Sequence, residues 1–201
     1  EMIRDSILAS SGLLVETLGG PSVKPYQPPG LWEELSAEAM PGPFAVYVQD
    51  HGPNLYRRGI YTFRKRTVPP PSLAIFDASP REACRVSLPR TNTPLQALNL
   101  MNDVTYLEAA RALATKAMKE GGASAPSRLT WAFRRVLARD PSNRELQVLV
   151  DGFERRRKAY EARPQDVKQL LHLGETPVDG SLSAHELAAY TATTSVMFNI
   201  D

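Results

Sequence analysis

The sequence predicts a mainly α fold: a compact multi-helix domain whose N-terminal third is proline-rich and irregular, with room for one short strand or hairpin. Three observations predict it. Apolar residues recur at 3.6-residue spacing through most of the chain. Capping-box signatures occur at Thr93-x-x-Gln96, Ser142-x-x-Glu145 and Ser183-x-x-Glu186. Strand-like alternation is confined to one short run, Phe44 to Gln49.

In chain order, Ile7, Leu8, Ser11, Leu14, Val15 and Leu18 follow helical spacing, so a helix is expected from Ile3 to Leu18, stopped by Gly19-Gly20. Ser10, Ser11 and Gly12 narrow one part of it, where a neighbour can approach closely. Four prolines between Pro21 and Gly30 forbid regular structure there. A short helix is expected over Leu31 to Met40, around Trp32 and Leu35. Tyr56, Ile60 and Phe63 recur at i, i+4, i+7, with Arg57, Tyr61 and Arg64 one step round. That pattern predicts a helix with an apolar stripe beside a cationic one, ended by Pro69-Pro70-Pro71.

Thr93 as cap, Pro94 at the first helical position and Gln96 closing the box start a short helix. Asn102-Asp103 separates it from a longer one buried along Leu107, Ala110, Ala114 and Ala117, which Gly121-Gly122 stops. Leu129, Ala132, Phe133, Val136 and Leu137 mark the next helix, broken at Asp140-Pro141. Ser142 then caps a helix with Leu146, Leu149, Val150 and Phe153 inward, and its charged part Glu154 to Lys158 is expected to project into solvent. A short helix near Val167 to Leu173 precedes the last, with Leu187, Tyr190, Thr194 and Phe198 on one side.

At 201 residues the chain is long enough to bury a proper core, and residues 1–201 are expected to form one helical domain. No run approaches the ~20 apolar residues that a membrane helix needs. The single cysteine, Cys84, excludes an internal disulfide, and is read as a structural thiol. His51, His172 and His185 lie outside any Cys-x-x-Cys-His motif, so covalent haem attachment is excluded within the sequence, and no metal-ligand spacing is present. The chain opens on glutamate with helical periodicity beginning at once, so it is expected to be an excised piece of a longer protein.

Charge is unevenly spread. From Tyr56 to Asp103 there are eight basic residues against three acidic ones, a net +5 in a chain whose formal net charge is +2, so the remainder carries −3. Within that segment Arg57, Arg64, Arg66, Arg81 and Arg90 are candidate binders of phosphate, sulfate or carboxylate, because a guanidinium offers a planar donor fork. The structural alternative is that they hold the fold by pairing with Asp77, Glu82, Asp103 or helix C-termini. Asp77 and Asp103 are candidate acids, or else a turn acceptor and a helix cap. Asn92 and Gln96, with Thr91 and Thr93, form a polar group at a helix start suited to an anion or to capping alone. A net charge of only +2 argues against nucleic acid as a partner.

Several ordered blocks resemble a known family. They are Arg4-Asp5, Gly20-Pro21-Ser22-Val23, Tyr56-Arg57-Arg58-x-Ile60-Tyr61-Thr62-Phe63, Lys65-Arg66-Thr67-x-Pro69-Pro70-Pro71, Phe76-Asp77-Ala78-x-x-Arg81-Glu82-x-Cys84, and Arg90 through Leu98. Together they resemble the C-terminal domain of large planctomycete proteins, the domain of unknown function 1553, which implies that the chain is the C-terminal fragment of a longer multidomain protein. Gly59 stands where that family leads one to expect a small polar residue. The resemblance implies an exported, periplasmic or cell-surface protein with this domain behind a cytochrome-c-like module. Haem c would then belong to an upstream module, with no cofactor in this chain. It also implies upstream domains of the same polypeptide as partners, and with the basic segment it makes an anionic polysaccharide a further candidate. Two functions follow as expectations: an accessory interaction domain that docks an acidic partner domain or anionic glycan through the basic segment, or a carbohydrate-active enzyme with an Arg-lined site and Asp77 or Asp103 as acid or base.

Overall fold

The computed structural model describes residues 1–32, 46–79, 86–87 and 91–200. Helix dominates them, and they contain no sheet, only isolated bridges pairing Val15 with Arg57, Val23 with Thr62 and Lys65 with Val68. The chain divides into two compact units. One comprises Glu1–Asp5 and Leu14–Asn99, the other Ser6–Leu13 and Leu100–Asp201.

Helix α1 spans Met2–Ser11, which corrects the expectation of a helix reaching Leu18. Gly12 takes φ +76°, its N–H bonds to the Ala9 carbonyl (3.0 Å), and the Leu13 N–H returns to the Leu8 carbonyl (2.9 Å). That pair of bonds is a Schellman stop, which a glycine in the left-handed region provides without a Cβ penalty. The expected close approach is found here. Ser11 is fully buried, and a Cβ on Gly12 would fall on the Lys116 ammonium.

The described residues of the N-terminal unit have little regular structure. The helix expected through Tyr56, Ile60 and Phe63 is absent. Two 3-10 turns, Gly52–Tyr56 and Gly59–Tyr61, stand in its place, separated by extended backbone at Arg57 and Arg58. The apolar periodicity is misleading because Ile60 is 60% exposed, whereas Leu55 is fully buried. Short helices follow: α2, Pro71–Ala74, and α3, Pro94–Asn102. Trp32 is the largest buried side chain, meeting Tyr47 edge-on (5.0 Å between ring centres) and Phe63 at 5.8 Å. Beyond Trp32 the helix expected to Met40 lies outside the described residues, as do Phe44 and Ala45 of the expected strand. From Val46 to Gln49 the chain is irregular but keeps its alternation: the valines are exposed, while the Tyr47 hydroxyl donates to the Pro25 carbonyl (2.5 Å).

The C-terminal unit is a helical bundle. Its elements are α4 (Val104–Glu120), α5 (Ala125–Leu137), α6 (Asn143–Glu161), α7 (Pro164–Leu171) and α8 (Ala184–Met197). Helix α8 packs against the other four and is buried on nearly every side. Its threonines tolerate this because their hydroxyls return to the chain: Thr191 donates to Leu187, Thr193 to Ala189, and Thr194 to Tyr190 and across to Ala110 of α4. Buried hydroxyls bonded in this way avoid the cost of an unpaired donor.

A second polar tie joins α4 to the segment after α7. Glu108 accepts the Thr176 N–H (2.5 Å), and Arg111 donates to the carbonyls of Leu171 and Thr176 while lying 3.6 Å from Glu108. Both charges are almost wholly buried. Gly174, at φ +76°, lets the chain pass, since a Cβ there would lie 2.2 Å from the Glu108 carboxyl carbon.

Two of the three capping boxes form. Thr93 and Gln96 exchange bonds at α3 (3.1 and 3.3 Å), and Ser142 and Glu145 do so at α6. At α8, Ser183 occupies the cap position without a side-chain bond, because the Glu186 carboxylate is drawn to Arg128 of α5 (2.9 Å). Within the charged run of α6, Arg157 bridges Glu154 and Glu161, and Arg156 is half-buried, its pKa lowered by burial.

Candidate functional site

The basic segment belongs mostly to the N-terminal unit, and its cations have unequal fates. Extended backbone at Arg57 turns its side chain back along the chain. Its guanidinium lies 4.0 Å from the centre of the Tyr61 ring and donates to the carbonyls of Thr17 (3.1 Å), Gly19 and Pro21 (3.0 Å). Arg57 is 6% exposed, so it contributes to the interior of this unit and not to a cationic face. Arg64 pairs with Glu1 (2.7 Å) and donates to the Ser79 carbonyl (2.7 Å).

Arg58, with half its side chain exposed, lies 3.8 Å from Asp5. Lys65 lies over the Trp32 ring, 4.7 Å from its centre. Arg66 is exposed. Among the described cations of the segment, Arg64 pairs with Glu1, Arg58 lies beside Asp5, and Arg57 donates to backbone carbonyls. Gly59 explains itself in the same place: its N–H bonds to Asp5 (2.7 Å), and a Cβ would press to 3.2 Å from Glu1.

The carboxylates nominated beside these cations are engaged. Asp77 adopts φ 56°, a left-handed conformation that aspartate tolerates, and accepts both the Thr91 hydroxyl (2.6 Å) and the Thr91 N–H (2.9 Å). The Thr91 hydroxyl first, and its amide second, hold the Asp77 carboxyl below the usual range. Gln96, buried, completes the same knot by donating to the Ile75 carbonyl (2.9 Å) and to the Thr91 hydroxyl oxygen (3.0 Å). Asp77 and Gln96 are thus brought together through Thr91.

Asn92, next in sequence, is exposed and makes no hydrogen bond among the described residues. Asp103 belongs to the C-terminal unit and caps α4 by accepting the Thr105 N–H (2.8 Å). Arg81 and Arg90 lie outside the described residues, with Glu82, Cys84 and Arg85. No group of His, Cys, Asp and Glu among the described residues is arranged to hold a metal ion. No described helix is long and apolar enough to cross a membrane.

Sequence reasoning missed a cleft of about 350 Å³ in the C-terminal unit, where the starts of α5 and α8 meet the middle of α6. Its wall carries two ion-pair systems, Arg128 with Glu186 (2.9 Å) and Arg157 with Glu154 and Glu161 (2.8 Å each). Phe153 and Tyr190 stack beneath them, ring centres 4.2 Å apart. The Tyr190 hydroxyl is buried, and its proton has no acceptor among the described residues. Burial pushes its phenol up, while the hydrogen-bonding approach of Arg128 first, and the Arg128 charge second, oppose this. The one local signal was the Ser183-x-x-Glu186 spacing, which pointed to capping instead.

The fold defines an all-helical protein class, with a basic segment whose arginines are partly built into the structure. The chain belongs to the PSD1 family, described as protein of unknown function (DUF1553), whose model matches residues 1–153. No curated protein and no solved structure matches the chain.

Proposed function

We propose that this chain is a non-catalytic accessory module of an exported multidomain protein. It docks an acidic surface, that of an upstream domain of the same polypeptide or of an anionic glycan, through the cations that the basic segment leaves exposed. Arg66 is the foremost of these, with Arg58 half-exposed. A c-type cytochrome module upstream, carrying the haem, is part of the same reading.

The observation that carries it is the engagement of both nominated carboxylates. A general acid near neutral pH needs a raised pKa and a free proton to give. Asp77 is displaced the other way by Thr91, and Asp103 is occupied with the start of α4. The engagement of these two carboxylates favours docking over the carbohydrate-active alternative, since cationic side chains need only meet an anion.

The test is titration of the 201-residue chain with the polypeptide encoded upstream and, separately, with polygalacturonate, at low and high salt. Salt-sensitive binding to either supports docking and identifies the source of the acidic surface. A folded chain that binds neither removes the reading.

A further inference from the structure

The cleft of the C-terminal unit is independent of the basic segment and has its own chemistry. Its carboxylates are only half used. Glu154 takes both Arg157 bonds on Oε2 (3.1 and 2.8 Å), Glu161 takes one on Oε1 (2.8 Å), and Glu186 takes Arg128 on Oε1 (2.9 Å). Each leaves one oxygen without a partner among the described residues. Arg128 bonds through Nε to the Gly122 carbonyl (2.9 Å) and through Nη1 to Glu186, and its guanidinium lies 5.8 Å from the centre of the Tyr190 ring. Ser183 has a hydroxyl not used for capping, and the buried Tyr190 hydroxyl has no acceptor. Acceptors and donors therefore stand together around one cavity.

Charge decides the class of ligand. Three carboxylates against two guanidinium groups leave the lining at −1 with His185 neutral. The N-termini of α5 and α8 both open on the cleft, and each carries roughly half a positive charge. The two nearly cancel the excess, so neither an anion nor a cation meets a favourable field. An uncharged molecule with closely spaced hydroxyls can use carboxylate acceptors and guanidinium donors at once. It also offers the Tyr190 hydroxyl proton the acceptor that the described residues do not supply. A volume of about 350 Å³ is at the small end of ligand pockets. We propose that this cleft binds a neutral, hydroxyl-rich small molecule of sugar or polyol type, with Glu154, Glu161 and Glu186 accepting from it and Arg128 and Tyr190 donating to it.

The experiment is an NMR titration of the 201-residue chain with four neutral sugars (glucose, galactose, mannose, xylose), and with galactosamine and galacturonate as charged counterparts. The expected result is saturable binding of at least one neutral sugar, with a dissociation constant on the order of millimolar or tighter and shifts centred on Arg128, Glu154 and Tyr190. Glu154→Gln and Tyr190→Phe, each verified as folded by its melt, should weaken that binding about 3- to 10-fold. No saturation by any of the four sugars overturns the proposal. So does galactosamine or galacturonate binding tenfold tighter than galactose, since the cleft would then select charge. Undiminished binding in both variants also overturns it, because the ligand would sit elsewhere.

Discussion

Arg4 donates to the main-chain carbonyl of Arg57 at 2.6 Å, and to that of Leu55 at 2.7 Å, with both arginines almost wholly buried. Arg57 in turn donates to Thr17, Gly19 and Pro21. Two guanidinium groups thus act in series, each satisfying backbone that no helix or sheet satisfies. Where the described residues of this unit form so little regular structure, side-chain donors satisfy the backbone instead.

Arg57→Lys is therefore expected to destabilise the chain by about 2 kcal/mol, because an ammonium cannot span three carbonyls or lie flat on Tyr61. Chemical denaturation measures this. A lysine variant as stable as the parent would show that the fork geometry is incidental.

Acid should weaken the start of α6 through one carboxylate. The Arg139 guanidinium, then the Ser142 amide and hydroxyl, hold Glu145 down to about 2 from an ordinary 4.5. A folded-state pKa below the unfolded one contributes stability that is complete above the ordinary value and lost as pH falls through the folded one. Stability curves of the parent and Glu145→Gln should differ at neutral pH and converge between about pH 4.5 and 2. A constant gap across that window would contradict this. Glutamine retains the capping geometry, so the comparison isolates the charge.

Helix α5 ends on Ala138 at φ 53°, whose N–H closes onto the Arg134 carbonyl (2.9 Å). Glycine occupies the left-handed region without the Cβ penalty. Ala138→Gly should raise stability by about 1 kcal/mol, read from the denaturation midpoint. A lowered midpoint would mean that the alanine methyl makes a contact worth more than the strain.

Gly174→Ala should be among the most damaging single changes in the C-terminal unit. Its methyl would displace the Glu108 carboxyl, breaking the tie to Thr176 and leaving Arg111 without its counter-charge. A buried pair broken in this way costs about 3–5 kcal/mol. Purified Gly174→Ala with parental stability would show that the segment after α7 can shift at little cost.

What was legible in the sequence was local. Thr93 with Gln96 and Ser142 with Glu145 lie three residues apart and answer to backbone within one turn, so their spacing identifies them. Ser183 and Glu186 have the same spacing, yet Glu186 answers to Arg128, 58 residues away. The end of α1 was ambiguous for a related reason: Gly12, Gly19 and Gly20 all take positive φ, and only the bond from Leu13 back to Leu8 distinguishes the helix stop. Arg57 and Tyr61 do meet as their i, i+4 spacing suggests, but on extended and 3-10 backbone, because the partners of Arg57 lie 36 to 40 residues earlier. The cleft was invisible for the same cause, drawing its wall from three helices with no common motif.

The most direct test of the account compares Arg66→Ser with Arg57→Lys for stability and for binding to the upstream polypeptide and polygalacturonate at low salt. An exposed interfacial charge contributes a few tenths to about 1 kcal/mol. The account predicts that Arg66→Ser melts like the parent but binds about threefold more weakly. Arg57→Lys should melt earlier and bind, while folded, like the parent. Unchanged binding in Arg66→Ser, or lost binding in a fully folded Arg57→Lys, would contradict the division between arginines that build the fold and arginines that meet the partner.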